Sequence, residues 1–458
     1  MIRTGPFVRR RRMVVGVAVA LLAIAALVTQ NSLAGESTSP LDVTASTSAQ
    51  ASKAETAKAE TARAKAAKTE AAKTEAAKAD LVRAQAARAE ASRAKAARAQ
   101  GPAQGALLPA DQTAFVRRER ITGLLSPKSV VASPFGLVTA QNMMYTHTIS
   151  AFTPDGKLKK TIDDSVDLSK FGIEGHPGTS KGSPVEAAFT HDGKHLYVSN
   201  YSMYGKGFGP EGLDSCSPAS APHKSFLYRI DTTTLKIDQV IEVGAVPKYV
   251  AVTPDDTTVL VTNWCSWTMS VVDVASARLV DTIPVGGAYP RGIAITPDSR
   301  TAFVAVMGSQ RIARVDLASK KVSTFARTGN GPRHIVISPD GTYLYVTNNS
   351  SGTVSKVDAR TGRVITSVST GRQPRSLAIS SDGRAVYVVN YESSTVSKLR
   401  TSDLRQMERS ATDLHPIGIA YEPTTGSVWV ACYGGSIMVF DDNKPARPQP
   451  DAAAAPVN

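Results

Sequence analysis

Pro290-Arg291-Gly292-Ile293-Ala294-Ile295-Thr296-Pro297-Asp298 returns as Pro332-Arg333-His334-Ile335-Val336-Ile337-Ser338-Pro339-Asp340, and again as Pro374-Arg375-Ser376-Leu377-Ala378-Ile379-Ser380-Ser381-Asp382. Weaker copies open at Pro247, Pro416 and Pro184, and the weakest at Pro127. From Pro247 onward the starts lie 43, 42, 42 and 42 residues apart, and the earlier spacings of 57 and 63 are one period plus insertions. A fixed period of this length identifies one supersecondary unit repeated along the chain. Within a unit, the apolar run Ile335 to Ile337 ends in a Ser-Pro-Asp-Gly turn, followed by Tyr343 to Thr347, Thr353 to Val357 and Val364 to Val368. Runs of about five β-branched and aromatic residues, punctuated by Gly, Pro and Asp, are strands.

Four strands in a repeat of 40–45 residues make one propeller blade. Seven starts predict an all-β, seven-bladed β-propeller of four-stranded blades over residues 109–445. The last unit, Pro416 to Asp442, holds only three strands. Its fourth is expected from Thr113 to Leu125, upstream of the first blade. Such an N-terminal strand closure leaves no long free edge.

The segment Tyr345-Val346-Thr347-Asn348 resembles the signature of the YVTN-repeat (YncE-like) family within the WD40/YVTN repeat-like superfamily. Tyr197-Val198-Ser199-Asn200, Leu260-Val261-Thr262-Asn263 and Tyr387-Val388-Val389-Asn390 match it, whereas Phe303-Val304-Ala305-Val306 and Trp429-Val430-Ala431-Cys432 keep the strand and lose the Asn. The resemblance covers about 330 residues. It implies an extracytoplasmic or surface propeller, and leaves the biochemical role undefined, since fold does not fix function.

Upstream of the repeats the composition changes. Arg9 to Arg12 precede an uncharged apolar run from Met13 to Val28, and Ser32-Leu33-Ala34 offers small residues for cleavage. Residues 1–35 therefore read as a signal peptide or a single-pass anchor with its N-terminus inside. A linker follows at 36–48. Over 49–104, basic residues recur every five positions from Lys53 to Arg98, with acids such as Glu55, Glu60 and Glu70 two residues behind, in an alanine background. High helix propensity and favourably ordered charge pairs predict a helical stalk. Its charges advance about 140° per repeat, which leaves no coiled-coil seam. A tail at 446–458 is expected to be disordered. The formal charge of +14 sits mostly on these first two segments, so the basic pI is not by itself a nucleic-acid footprint. The expected location is extracytoplasmic, membrane-anchored or secreted.

The residue after each blade-opening proline is Lys128, Val185, Lys248, Arg291, Arg333, Arg375 and Ile417 in chain order. Five of the seven are basic, and the position opens the innermost strand, so these charges are expected to ring one mouth of the central channel and attract anions. Aromatics follow the second strand on the same face: Tyr201, Trp264, Tyr391 and Tyr433, with Trp267 nearby. Cations beside aromatics suit an anionic small molecule or a glycan or other cell-wall component. An envelope protein is a further expected partner, and single-stranded nucleic acid a secondary one. Cys216 in the blade-two insertion and Cys265 in the neighbouring loop are expected to form a disulfide, which an exported location permits. Cys432 reads as a buried thiol. The seven histidines show no metal-ligand spacing, and neither metal nor cofactor is expected. Glu186 and His334 are the catalytic candidates, an acid and a histidine expected at one mouth. The leading reading is a binding or scaffold module rather than an enzyme. A lactonase-like hydrolase is the alternative, because seven-bladed lactonases resemble this family, and a nucleic-acid-binding propeller is a third.

Overall fold

The computed structural model describes residues 107–123, 125–209, 216 and 223–446. The export segment, linker and stalk, and the tail beyond residue 446, lie outside the described residues. Among the described residues no helix is long and apolar enough to cross a membrane.

Seven antiparallel sheets form a closed ring. Their inner strands are Pro127–Ala132, Thr179–Phe189, Pro247–Val252, Pro290–Ile295, Pro332–Ile337, Pro374–Ile379 and Pro416–Glu422. Each touches the inner strands of both neighbours, and that of blade seven meets that of blade one. Blades stack face to face, so the second and third strands are covered on both sides and run buried without alternation, as in Tyr343–Asn348 and Thr353–Asp358. The outer strand Val364–Ser369 alternates half-buried and exposed residues, the period-two pattern of a strand with one wet face.

The Asn of the repeat has a local purpose. Asn348 is buried, and its side-chain amide donates to Thr353 Oγ1 at 3.1 Å and Ser355 Oγ at 2.9 Å across the turn. Asn142, Asn263 and Asn390 make the same pair of bonds to Thr148/Ser150, Thr268/Ser270 and Thr395/Ser397. Where blade four has Val306 in place of Asn, its third strand opens Arg311-Ile312-Ala313, without the Thr-x-Ser pair. Blade two breaks the pairing: Asn200 is buried there, its third strand opens Lys224-Ser225-Phe226, and among the described residues the Asn200 side-chain amide makes no hydrogen bond.

Closure uses Thr113–Ile121 as the outer strand of blade seven, paired antiparallel with Ser436–Pro445. A buried polar cluster latches it. Lys398 Nζ, fully buried in blade six, donates to Thr113 O at 2.7 Å and to Asp442. Thr113 Oγ1 and Tyr387 Oη donate to the same carboxylate.

Blade two departs from the expected pattern. Its inner strand starts at Thr179, before Pro184, and its second strand runs through Tyr204. Tyr201 and the residues to Tyr204 thus lie within a strand, not in the loop expected there. The two extensions pair with each other, Lys181 with Tyr204 and Gly182 with Met203, and Met203 packs against Phe226 and Tyr228. The first insertion adds a two-residue strand, Val166–Asp167, and a short 3-10 helix, Leu168–Phe171.

Removing one member of a buried ion pair strands the other. Lys398→Met is expected to cost about 3–5 kcal/mol in denaturant unfolding, with Lys398→Met/Asp442→Leu less destabilised than the single variant.

Candidate functional site

Antiparallel register shifts immediately after the opening proline in all seven blades, for example between Pro332 and His334 and between Pro374 and Ser376. The residue at each irregularity is the one after the proline: Lys128, Val185, Lys248, Arg291, Arg333, Arg375 or Ile417. A bulge leaves its extra residue out of the ladder and re-aims its side chain. The residue before the proline adopts a left-handed conformation at Val246, Tyr289, Gln373 and His415, with φ of 53°, 61°, 53° and 58°. Strained backbone of this kind persists only where the surrounding structure holds it.

The five cations converge. Lys128, Lys248, Arg291 and Arg333 are buried and Arg375 is half-buried. Lys128 is lowered to about 7, by burial first; Glu186 opposes the shift and Arg291, Arg333 and Arg375 add to it. Burial lowers Arg291 to about 10, against the pull of Glu186 and with the push of Arg375. Arg333 is held well below its ordinary value by burial, then by Arg291 and Arg375. Groups on four different blades therefore share one field. Glu186 is the carboxylate inside it, 3.5 Å from Lys128.

Aromatic faces cushion three of these cations. Lys248 Nζ sits 3.6 Å from the centroid of Tyr201 and 5.5 Å from that of Trp264. The guanidinium of Arg291 lies 5.3 Å from Trp264, and that of Arg375 lies 3.5 Å from Tyr391. Tyr391 stacks in turn on His415 at 4.4 Å, and Trp264 meets Tyr289 at 4.7 Å with the rings tilted by 35°. A π face attracts a cation without consuming its N–H donors. Tyr433 is half-buried near Tyr391 and Arg375, with its hydroxyl raised by burial. Trp267 is 46% exposed and joins none of these stacks.

Glu186 and His334 occupy equivalent positions in blades two and five. His334 Nδ1 accepts from Leu377 N–H at 3.3 Å, and its ring meets Tyr249 edge-on at 4.9 Å. Tyr249 belongs to blade three and reaches blade five across blade four, where the equivalent residue is Gly292. A Cβ there would come within 2.9 Å of the His334 backbone. Burial, then Arg333, Arg291 and Lys128, lower the imidazole to about 3, so it is neutral at physiological pH. Among the described residues no hydrogen bond joins it to Glu186. Tyr249 and Tyr289 went unread in the sequence because each flanks a blade-opening proline in only one repeat.

Cys216 and Cys265 are joined by a disulfide, with Cα atoms 4.9 Å apart. The bond ties the blade-two insertion to the residue beside Trp264. Cys432 is a buried free thiol, pushed up to about 12 by burial. A cavity of about 480 Å³ is lined by residues further along the inner strands, among them Val131, Ala188, Tyr249, Ala251 and Ala420.

The family model for the cytochrome D1 heme domain matches residues 307–418. No curated protein sequence matches the chain. Among solved structures, Kuenenia stuttgartiensis hydrazine synthase aligns at a TM-score of 0.55 and 17% identity, over 74% of this chain and 99% of that one. A chain of the mitotic checkpoint complex aligns at 0.58 and 13% identity, over 75% and 97%. These likenesses show the propeller fold. At the mouth, His334 has Nδ1 engaged by Leu377 N–H and its ring packed against Tyr249.

Cation crowding makes the His334 titration a reporter. Arg333→Met is expected to raise its pKa from about 3, read by NMR of the ring; an unchanged titration would place Arg333 away from it.

Proposed function

We propose that this chain is a YVTN-repeat propeller of the cell envelope, exported or anchored through its N-terminal segment, that binds an anionic ligand at the cationic mouth. The observation that supports this reading most is how the charges are held. Arg291 and Arg333 are buried, lie near each other and Arg375, and feel one shared carboxylate, Glu186. Cations serving only to tie blades together would be matched by carboxylates or turn carbonyls, as Lys398 and Lys356 are. Here aromatic faces stand beside Arg291 and Arg375, and among the described residues no carboxylate forms an ion pair with either guanidinium, which leaves Arg291 donors for a ligand. Guanidinium N–H groups match carboxylate, phosphate and sulfate oxygens geometrically, and a low-dielectric mouth focuses their field.

Crowded like charges oppose folding until a counter-ion arrives. Arg291→Ala/Arg333→Ala/Arg375→Ala is therefore expected to leave the unliganded melting temperature unchanged or higher. The same variant should lose the rise that sulfate or phosphate gives the parent. A lower unliganded melting temperature, with the anion response intact, would assign these arginines to blade packing.

Lys128 adds a pH dependence. Its value is lowered to about 7 in the free protein, and a bound anion favours its charged form, so binding takes up a proton. Affinity for sulfate, whose charge is constant over this range, is expected to fall as pH rises from 6 to 8.5. The measurement is isothermal titration calorimetry, and a flat profile would contradict the coupling. For stability the sign is opposite. Between about 7 and 10.5 the unfolded chain holds the Lys128 proton and the folded one does not, so this group's contribution grows with pH across that window.

A further inference from the structure

We infer that the anion is an acidic saccharide, its carboxylate on Arg291 and its ring in a pocket on the rim of the mouth. This deepens the anion-binding reading and rests on it.

The pocket has a volume of about 480 Å³, within the range of small-molecule sites, and lies where the loops of blades three, four and five meet. Trp264, Tyr289, Gln310, Asn330, Gly331 and Ser350 line it. Trp264 belongs to both sites, because the same ring lies 5.3 Å from the Arg291 guanidinium. A ligand resting on Trp264 therefore has an arginine beside it.

The lining chemistry is that of a sugar site. An indole face accepts the weakly positive C–H edge of a pyranose, as it accepts the positive edge of another ring. Around it stand two carboxamides and a hydroxyl, which give and accept hydrogen bonds as sugar hydroxyls require. Gln310 and Asn330 are exposed, and among the described residues their side-chain amides make no hydrogen bond. Glycines keep the floor low. A Cβ at Gly331 would fall 2.7 Å from Ser350 Oγ, and one at Gly308 would fall 3.0 Å from the Tyr289 ring.

Trp264 and Tyr289 touch, at 4.7 Å and 35°, so no slot separates the two rings. One shared platform with a hydrogen-bonding rim remains, which suits a ring with an apolar face and a polar circumference. The cation at its edge selects an acidic sugar over a neutral one.

Ligand-observed NMR titrations of the intact chain with D-glucuronate, D-glucose and inorganic sulfate test this. Glucuronate is expected to bind about tenfold or more tighter than glucose and than sulfate, the value of one charge-assisted hydrogen bond. Gln310→Ala/Asn330→Ala changes two exposed side chains and spares the fold. It should weaken glucuronate about fivefold or more, with sulfate unchanged. Trp264→Ala should erase the preference for glucuronate over sulfate. Equal affinity for sulfate and glucuronate, insensitive to Gln310→Ala/Asn330→Ala, would overturn the saccharide site and leave the anion site standing. No binding of either anion would overturn both.

Discussion

A seven-fold ring repeats whatever its repeat carries, and here the repeat carries a cation on its smallest circle. The bulge after each opening proline takes one residue out of the inner ladder, and five of the seven residues so released are Lys or Arg. Like charges brought together out of water repel strongly. The structure tolerates them by spacing them with Val185 and Ile417, placing Glu186 beside Lys128, and backing Lys248, Arg291 and Arg375 with aromatic faces. The remaining imbalance is what an anion would relieve.

The rest of the fold makes that crowding sustainable. A ring can hold its inner circle only if it cannot open, and the closing strand Thr113–Ile121 is fixed by backbone pairing and by the buried Lys398–Asp442 cluster. The Cys216–Cys265 disulfide ties the loops of blades two and three beside Trp264. The Asn348-type amides brace the turn in which the face's aromatics stand. Side chains held on such a scaffold have little conformational freedom left to lose.

Features carried by the repeat were legible from the sequence. The 42-residue period revealed the blades, and the three-stranded last unit revealed the closure by Thr113–Ile121. The Pro-Arg dipeptide revealed the position of the cations, because the bulge recurs with it. Of what the insertions carry, the Cys216–Cys265 pairing was legible and the course of the backbone was not. Blade two extends its strands through Thr179 and Tyr204, so Tyr201 approaches Lys248 from a strand. The placement of Tyr249 depends on Gly292 in the next blade leaving room, a relation between two repeats that neither discloses alone. Glu186 and His334 share a position in their repeats, yet one pairs with Lys128 and the other with Leu377 and Tyr249.

The central claim is that the mouth holds an anion between Arg291, Arg333 and Arg375. Crystals soaked in iodide, measured for anomalous scattering, test it most directly. The account predicts the strongest iodide peak on the channel axis, within contact of at least two of those guanidinium groups. Iodide spread over the exposed lysines and arginines with the axis empty would contradict it.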